Sequence, residues 1–148
     1  MNRSDLEYAL IYSSVLERLT AAFWGRLDKA TVFFQLCLGA SVFAEIANMK
    51  IIGAFLTAVS MWSLVFSPTA RSLTAEQQRQ QYEGLCVRAE NLSDEDLAKA
   101  FEKIQERDSP ELAVLSRLAE HAAHIRLGAT PPYPLKWFDR VFGLLAGA

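Results

Sequence analysis

A few polar residues interrupt the longest apolar block of the sequence at helical spacing. Ser41, Glu45 and Asn48 are four and three residues apart, so a helix places them on one face. Because an ionisable side chain is costly in lipid, a membrane helix turns such a face to protein or water. Several copies of the chain could therefore line a polar path through a bilayer. The next apolar stretch carries a similar face, made of Gly53, Thr57, Ser60 and Ser67.

Two simpler explanations of these polar faces stay open. The faces can pack the two helices against each other, helped by small residues that allow a close approach of the backbones. Glu45 lies three residues before the predicted turn, so its carboxylate can also reach the headgroup region. The small residues form two pairs, Ala40/Ala44 and Ala54/Ala58.

The other residues that often perform chemistry do not form a recognisable site in the sequence. His121 and His124 are three residues apart, but two ligands do not make a metal site, and the spacing differs from His-Glu-x-x-His. The sequence has no phosphate-cradling glycine loop, no nucleophile elbow and no paired-carboxylate signature. We therefore expect a protein that is not an enzyme and that has no cofactor and no metal.

The apolar block predicts two transmembrane helices joined by a tight turn at Asn48-Met49-Lys50. Gln35 and Glu45 are the only strongly polar members of residues 30–47, and residues 51–67 carry no charge. At about 1.5 Å per residue each run is on the order of 26 Å long, close to the minimum for a hydrocarbon core of roughly 30 Å. A hairpin buried in a soluble protein is the alternative, and the remaining amphipathic segments offer too little cover for it.

The charges predict an orientation in the membrane. The formal net charge is −2 and no extended run of Lys or Arg occurs, which argues against a nucleic-acid partner. Cations flank the hairpin at both ends, whereas Lys50 alone lies in its turn, so the positive-inside rule places both termini in the cytoplasm. The flanking cations are Arg18, Arg26, Lys29, Arg71 and Arg79.

The whole chain reads as an all-α protein with four parts. Residues 1–29 form an amphipathic N-terminal helix, and residues 30–67 form the transmembrane hairpin. Residues 68–128 form a cytoplasmic stalk and a small helical domain. In that domain helices begin at Ser93 and at Ser109-Pro110, and we expect the two to pack as an antiparallel pair. Residues 129–148 form a Pro-rich linker and an apolar C-terminal helix.

The C-terminal helix follows a segment, residues 130–134, that proline keeps out of a helix. The helix is short, aromatic and strongly apolar. Two interpretations stay open, an interfacial anchor in the membrane and a docking helix for a partner subunit. Its apolar positions are Trp137, Phe138, Val141, Phe142 and Leu145.

This arrangement resembles the SLATT proteins, two-transmembrane effectors associated with nucleotide signalling and other bacterial defence systems. The resemblance covers roughly residues 10–128 and rests on architecture together with Trp24, Arg71, Tyr82 and Ala119-Glu120-His121. It implies an effector that oligomerises when an upstream sensor fires and forms pores in the bacterial inner membrane, as part of antiviral defence. It offers no catalytic residues, and residues 130–148 have no counterpart in it.

Two other functions compete with the pore-forming effector. One is a non-enzymatic membrane adaptor or prophage exclusion protein that binds a partner through its cytoplasmic helices. The other is a holin-like lysis protein, although the acidic residues 93–96 and the sizeable helical domain weigh against it. The expected partners are membrane lipids, further copies of the chain, and an upstream sensor or regulatory subunit.

Overall fold

A computed structural model describes residues 2–43, 49–110 and 112–147 of the chain. All regular secondary structure in these residues is helical, which confirms the predicted all-α class. The α-helices are α1 (Arg3–Phe43), α2 (Met49–Phe66), α3 (Pro68–Arg88), α4 (Asp94–Gln105), α5 (Ala113–Arg126) and α6 (Trp137–Ala146), and a short 3₁₀ helix at Ala89–Asn91 precedes α4.

Helix α1 joins the predicted N-terminal helix to the start of the predicted first span. It is 41 residues long, which corresponds to about 60 Å at the usual helical rise. It contains no proline, and Gly25 and Gly39 do not interrupt it. The predicted boundary at residue 29 is therefore a change of surroundings along one continuous helix.

Helix α3 runs back along α1 in the opposite direction. Near the start of α3, the Thr69 hydroxyl donates a 2.8 Å hydrogen bond to the Asp28 carboxylate. Beyond the end of α3, the Arg3 guanidinium donates a 3.1 Å hydrogen bond to the Leu92 carbonyl. A first apolar core forms where α4 covers this pair, and it contains Leu6, Leu10, Tyr82, Leu85, Ala89, Leu97 and Phe101.

Helices α5 and α6 cover the next part of α1. The ring of His124 in α5 meets the edge of Tyr8 at 5.2 Å between centroids. The ring centroid of Phe142 in α6 lies 6.2 Å from that of Phe23 in α1. The resulting second core contains Val15, Leu16, Leu19, Leu115, Leu118, Ala119 and Ala146.

The predicted antiparallel pairing of α4 with α5 is wrong. Helix α4 packs on α3 and α1, and α5 packs on α1 and α6. Both apolar stripes are used against α1 or α3, so neither is left for the other helix. The predicted start of α5 is also too early, because Ser109 and Pro110 belong to the connecting loop and the helix begins at Ala113.

One helical stretch in the described part of the chain is long and apolar enough to cross a membrane, by length and composition. It runs from Met49 to Asn91 and begins with α2. Hardly any of its most apolar window is buried by the rest of the chain. The predicted first span, residues 30–47, ends partly outside the described residues.

Candidate functional site

Many exposed apolar side chains lie on α2 and on the part of α1 that follows Ala30. Ile52 is the only buried residue of α2, and Leu64 is 80% exposed. The exposure of so much apolar surface to water is unfavourable, so we expect lipid or another protein chain to cover it. Its large side chains include Val32, Phe33, Phe34, Leu36, Ile51, Phe55, Met61, Leu64 and Val65.

Helices α1 and α2 lie against each other within this region. The Gln35 amide donates a 3.3 Å hydrogen bond to the Ser60 hydroxyl. Beside this bond the two helices leave a groove of about 340 Å³ between them. The groove is lined by Thr31, Phe34, Ala58, Val59 and Trp62, and four of these five side chains are apolar.

The predicted polar faces are only partly enclosed by the chain itself. Gly53, Thr57 and Ser60 are exposed, and Ser41 is half-buried. The hydroxyl of Thr57 donates to the Gly53 carbonyl (2.8 Å) and that of Ser41 to the Cys37 carbonyl (2.7 Å), which lowers the cost of placing them in lipid. Glu45 and Asn48 lie outside the described residues. That these faces line a path or an interface stays a prediction.

The predicted small packing residues are accessible. Ala40, Ala54 and Ala58 are exposed, whereas Ala44 lies outside the described residues. Ala58 also lines the groove between α1 and α2. A methyl side chain on an open surface lets another helix come close, so these positions suit a contact between copies.

The junction between α2 and α3 has an unusual backbone conformation. Ser67 adopts the left-handed conformation with φ 42°, which is uncommon for a residue with a side chain. Pro68 follows it as the buried first residue of α3. Close by, the Arg71 guanidinium lies 4.9 Å above the Trp24 ring. The structure therefore brings together two residues that carried the resemblance.

A buried polar cluster holds the loop between α4 and α5. The Tyr82 hydroxyl donates to both carboxylate oxygens of Asp108, at 2.7 and 2.8 Å. The backbone N–H of Ser109 donates to the Glu17 carboxylate at 3.2 Å, and the Gln78 amide donates to the Arg107 carbonyl. Burial, followed by the hydrogen bond to Asp108, raises the pKa of Tyr82 far above its usual range. The neutral phenol is thus a fixed donor that anchors the loop.

No local pattern in the sequence predicts this cluster. The resemblance alone points to Tyr82, and its partner Asp108 lies 26 residues further along the chain. Glu17, an ionisable residue of the amphipathic N-terminal helix, is 3% exposed. Such contacts depend on the tertiary path of the loop.

The C-terminal helix docks on its own chain with one face and leaves the other open. Phe142 packs against Phe23, and the buried Asp139 lies 3.4 Å from Arg117. The Arg26 guanidinium donates to the Leu144 carbonyl at the end of α6. Of the five predicted contact residues, Phe142 is half-buried and the others are exposed: Trp137, Phe138, Val141 and Leu145.

His124 makes ordinary contacts within the fold, whereas His121 Nδ1 is buried without a hydrogen-bond partner among the described residues. His124 Nδ1 lies 2.8 Å from the Glu120 carbonyl, and its ring packs on Tyr8. The Glu120 carboxylate accepts a hydrogen bond from the Tyr133 hydroxyl. Across residues 2–43, 49–110 and 112–147, no three His, Cys, Asp or Glu side chains come together in a way that could hold a metal ion.

Comparison with known proteins identifies no relative. No protein family, no curated protein and no solved structure matches the chain. The resemblance to SLATT proteins therefore stays a prediction, and the surfaces of the chain itself are the basis of the function proposed below.

Proposed function

We propose that the protein is a membrane effector that inserts a two-helix hairpin, oligomerises and permeabilises the bacterial inner membrane in anti-phage defence. The observation that carries this proposal is the exposed apolar surface of α2 and of α1 beyond Ala30. The N-terminal part of α1 is covered by α3, α5 and α6 of the same chain. A bilayer would provide the missing cover for the rest.

The contacts between α1 and α2 support a hairpin. One span is the part of α1 that follows Ala30, and the other is α2. Five residues, 44–48, connect the described ends of these helices. At the other end of the hairpin, the hydrogen bond from Thr69 to Asp28 holds the residues that follow α2 beside the point where α1 becomes exposed. Several cations lie near this end of the hairpin, whereas Lys50 is the only one at the predicted turn. By the positive-inside rule, this distribution favours termini in the cytoplasm.

The small and polar exposed residues of α2 support self-association. Lipid tails provide no hydrophobic drive for helices to associate, so close backbone packing and hydrogen bonds must supply it. Ala54 and Ala58 would allow that approach, and Thr57 and Ser60 would face the neighbouring copy or a polar path. An assembly of this kind could carry ions across the membrane.

The test measures leak and assembly together. The full-length protein is inserted into liposomes that hold a potassium gradient, and a voltage-sensitive dye and chemical crosslinking report leak and oligomers. We expect Ala58→Leu to reduce both about tenfold, because a larger side chain blocks the approach of a second helix. Ala113→Leu is the matched control, since Ala113 is exposed on α5, outside the proposed spans, and should leave both unchanged.

The open face of α6 favours a second candidate, a non-enzymatic membrane adaptor. Trp137, Phe138 and Leu144 are exposed on a helix already anchored to α1 and α5, as in a rigid docking surface. Inserted, crosslinkable protein that produces no leak would favour the adaptor. Leak that persists in the Trp137→Gln/Leu144→Gln variant would favour the effector.

A further inference from the structure

A basic groove of about 400 Å³ lies between α1 and α3, next to the point where α1 becomes exposed. Its α1 wall carries Arg18, Arg26 and Lys29, and its α3 wall carries Ser72, Glu76 and Arg79. Four cations and one carboxylate therefore line the same open groove. The groove is therefore positively charged in a chain whose net charge is −2.

Helical geometry gathers cations that are scattered in the sequence. Arg18, Arg26 and Lys29 are eight and three residues apart, spacings that return to one side of a helix. Gly25 lies between them and lets α3 come close, because a Cβ there would lie 3.1 Å from the Ser72 hydroxyl oxygen. Because these cations do not form a run of Lys and Arg in the sequence, the groove could not be predicted from the sequence.

The single carboxylate of the groove is already neutralised. Arg79 donates to the Glu76 carboxylate at 2.6 and 2.9 Å, and this pairing lowers the pKa of Glu76. Arg79 also bonds Glu83 at 2.7 Å. The charge of Arg79 is therefore compensated by two carboxylates of α3. The other three cations of the groove are Arg18, Arg26 and Lys29.

Those three cations have no carboxylate partner among the described residues. Arg18 and Lys29 form no ion pair there, and Arg26 donates to the uncharged Leu144 carbonyl. By the helical rise, Arg18 and Lys29 lie about 16 Å apart along α1. A phosphate group midway along the groove would lie about 8 Å from either residue along the helix axis, within the roughly 8–10 Å over which charges interact at physiological salt.

We propose that this groove binds the phosphate group of an anionic ligand, either a phospholipid headgroup or a soluble phosphorylated molecule. A guanidinium can bind two phosphate oxygens at once, and a lysine ammonium adds a point charge. The groove lies beside Lys29, just before the exposed Val32 and Phe33, where lipid headgroups would be found. The lipid source rests on the proposed membrane insertion, whereas phosphate binding itself does not.

The experiment titrates the full-length protein, kept in a neutral detergent, with three probes in a calorimeter. The probes are short-chain phosphatidylglycerol, short-chain phosphatidylcholine and sodium pyrophosphate. We expect saturable binding of phosphatidylglycerol or pyrophosphate and none of phosphatidylcholine. Each removed cation should weaken binding about fivefold, so Arg18→Gln/Lys29→Gln should weaken it about 25-fold.

The control variant is Arg88→Gln/Lys103→Gln, which removes two exposed cations outside the groove and should bind like the wild type. Arg18→Lys/Lys29→Arg should keep most of the affinity, which separates lost charge from lost fold. Binding of phosphatidylglycerol alone assigns a lipid site, and binding of pyrophosphate assigns a soluble ligand. Absence of binding by both anions, or an equal loss in the control variant, would overturn the proposal. Pyrophosphate needs no bilayer, so this result stands apart from the leak assay.

Discussion

The two parts of α1 differ in their surroundings although both are rich in large apolar side chains. Before Lys29, Leu6, Leu10 and Leu19 are each 1% exposed. After it, Phe33 and Leu36 are 63% and 68% exposed on the same continuous helix. The first part packs against α3, α5 and α6, and the second has only α2 beside it in the described residues.

This difference shows that apolar content alone does not decide burial. A helix that is apolar on one stripe can be covered by a few neighbours of its own chain, whereas one that is apolar all round needs an apolar solvent or several further helices. The same substitution should therefore have different consequences in the two parts of α1.

The largest expected effect comes from truncating one leucine in each part. Leu10→Ala should lower the free energy of unfolding by about 2–5 kcal/mol, because it leaves a cavity in the first core. Leu36→Ala should change it by less than about 0.5 kcal/mol, since Leu36 is mostly exposed and little packing within the chain is lost. Thermal unfolding of the full chain in mild detergent measures both. Equal losses would mean that Leu36 is also enclosed, and the comparison would fail.

A charge on α2 tests whether the uncovered region meets lipid. Phe55→Arg places a cation near the middle of α2 and should cost about 2.5–3.5 kcal/mol of membrane insertion. Val87→Arg is the matched control, because Val87 is 81% exposed on α3, outside the proposed spans. A cysteine at Asn48, in a chain with Cys37→Ser and Cys86→Ser, reports insertion by labelling from outside intact cells. Equal labelling of both variants would contradict a lipid-facing α2.

A smaller effect is expected at Tyr82, on the covered side of the comparison. Tyr82→Phe should destabilise the fold by about 1–2 kcal/mol at neutral pH, because Asp108 loses its buried donor. Since burial raises the pKa of Tyr82 above its unfolded value near 10, this residue stabilises the fold below about pH 10 and loses that effect as the pH rises further. Tyr82→Phe should flatten the fall in thermal stability above pH 10.

Tyr133→Phe is the control for that pH dependence. Burial and the hydrogen bond to Glu120 also raise the pKa of Tyr133, but its ring is only half-buried. The variant should therefore remove a smaller part of the fall above pH 10 than Tyr82→Phe does. A wild-type curve that stays flat to pH 11 would show that the Tyr82 phenol is not held neutral by the fold.

The features that could be predicted from the sequence are those with a local cause. Ser93 caps α4 by accepting a 3.2 Å hydrogen bond from the Asp96 N–H, and Gly128 takes the positive φ of 70° that ends α5. The helical class and the exposed apolar block follow from composition and periodicity in the same way. These features need no knowledge of distant residues.

The features that could not be predicted depend on distant residues. The hydroxyl of Tyr82 binds Asp108 in the loop before α5, and α5 packs on α1 instead of α4. The basic groove needs α3 beside Gly25, and the docking of α6 needs Phe23 and Arg26. In each case a side chain that is polar or apolar by type acquires its role from a partner on another helix.

The smallest expected effect concerns the hydrogen bond between Gln35 and Ser60, which lies in the uncovered region. Hydrogen bonds between membrane helices contribute about 0.6 kcal/mol on average, roughly a threefold change in an equilibrium constant. The single variants Gln35→Leu and Ser60→Ala, together with the double variant, isolate this coupling in a thermodynamic cycle. Unfolding of the α1–α2 contact in detergent micelles, followed by energy transfer between labels on the two helices, provides the free energies.

Ser41→Ala is the control for this cycle, because in the described part of the chain the Ser41 hydroxyl donates within its own helix, to the Cys37 carbonyl. It should leave the α1–α2 contact unchanged and show no coupling with Ser60→Ala. If α1 and α2 were surrounded by water, the exposed amide and hydroxyl would exchange this bond for water at little cost, and the coupling would vanish. A coupling near 0.6 kcal/mol in micelles would therefore locate the contact in an apolar environment. Additive effects of the two single variants would remove this support for the hairpin.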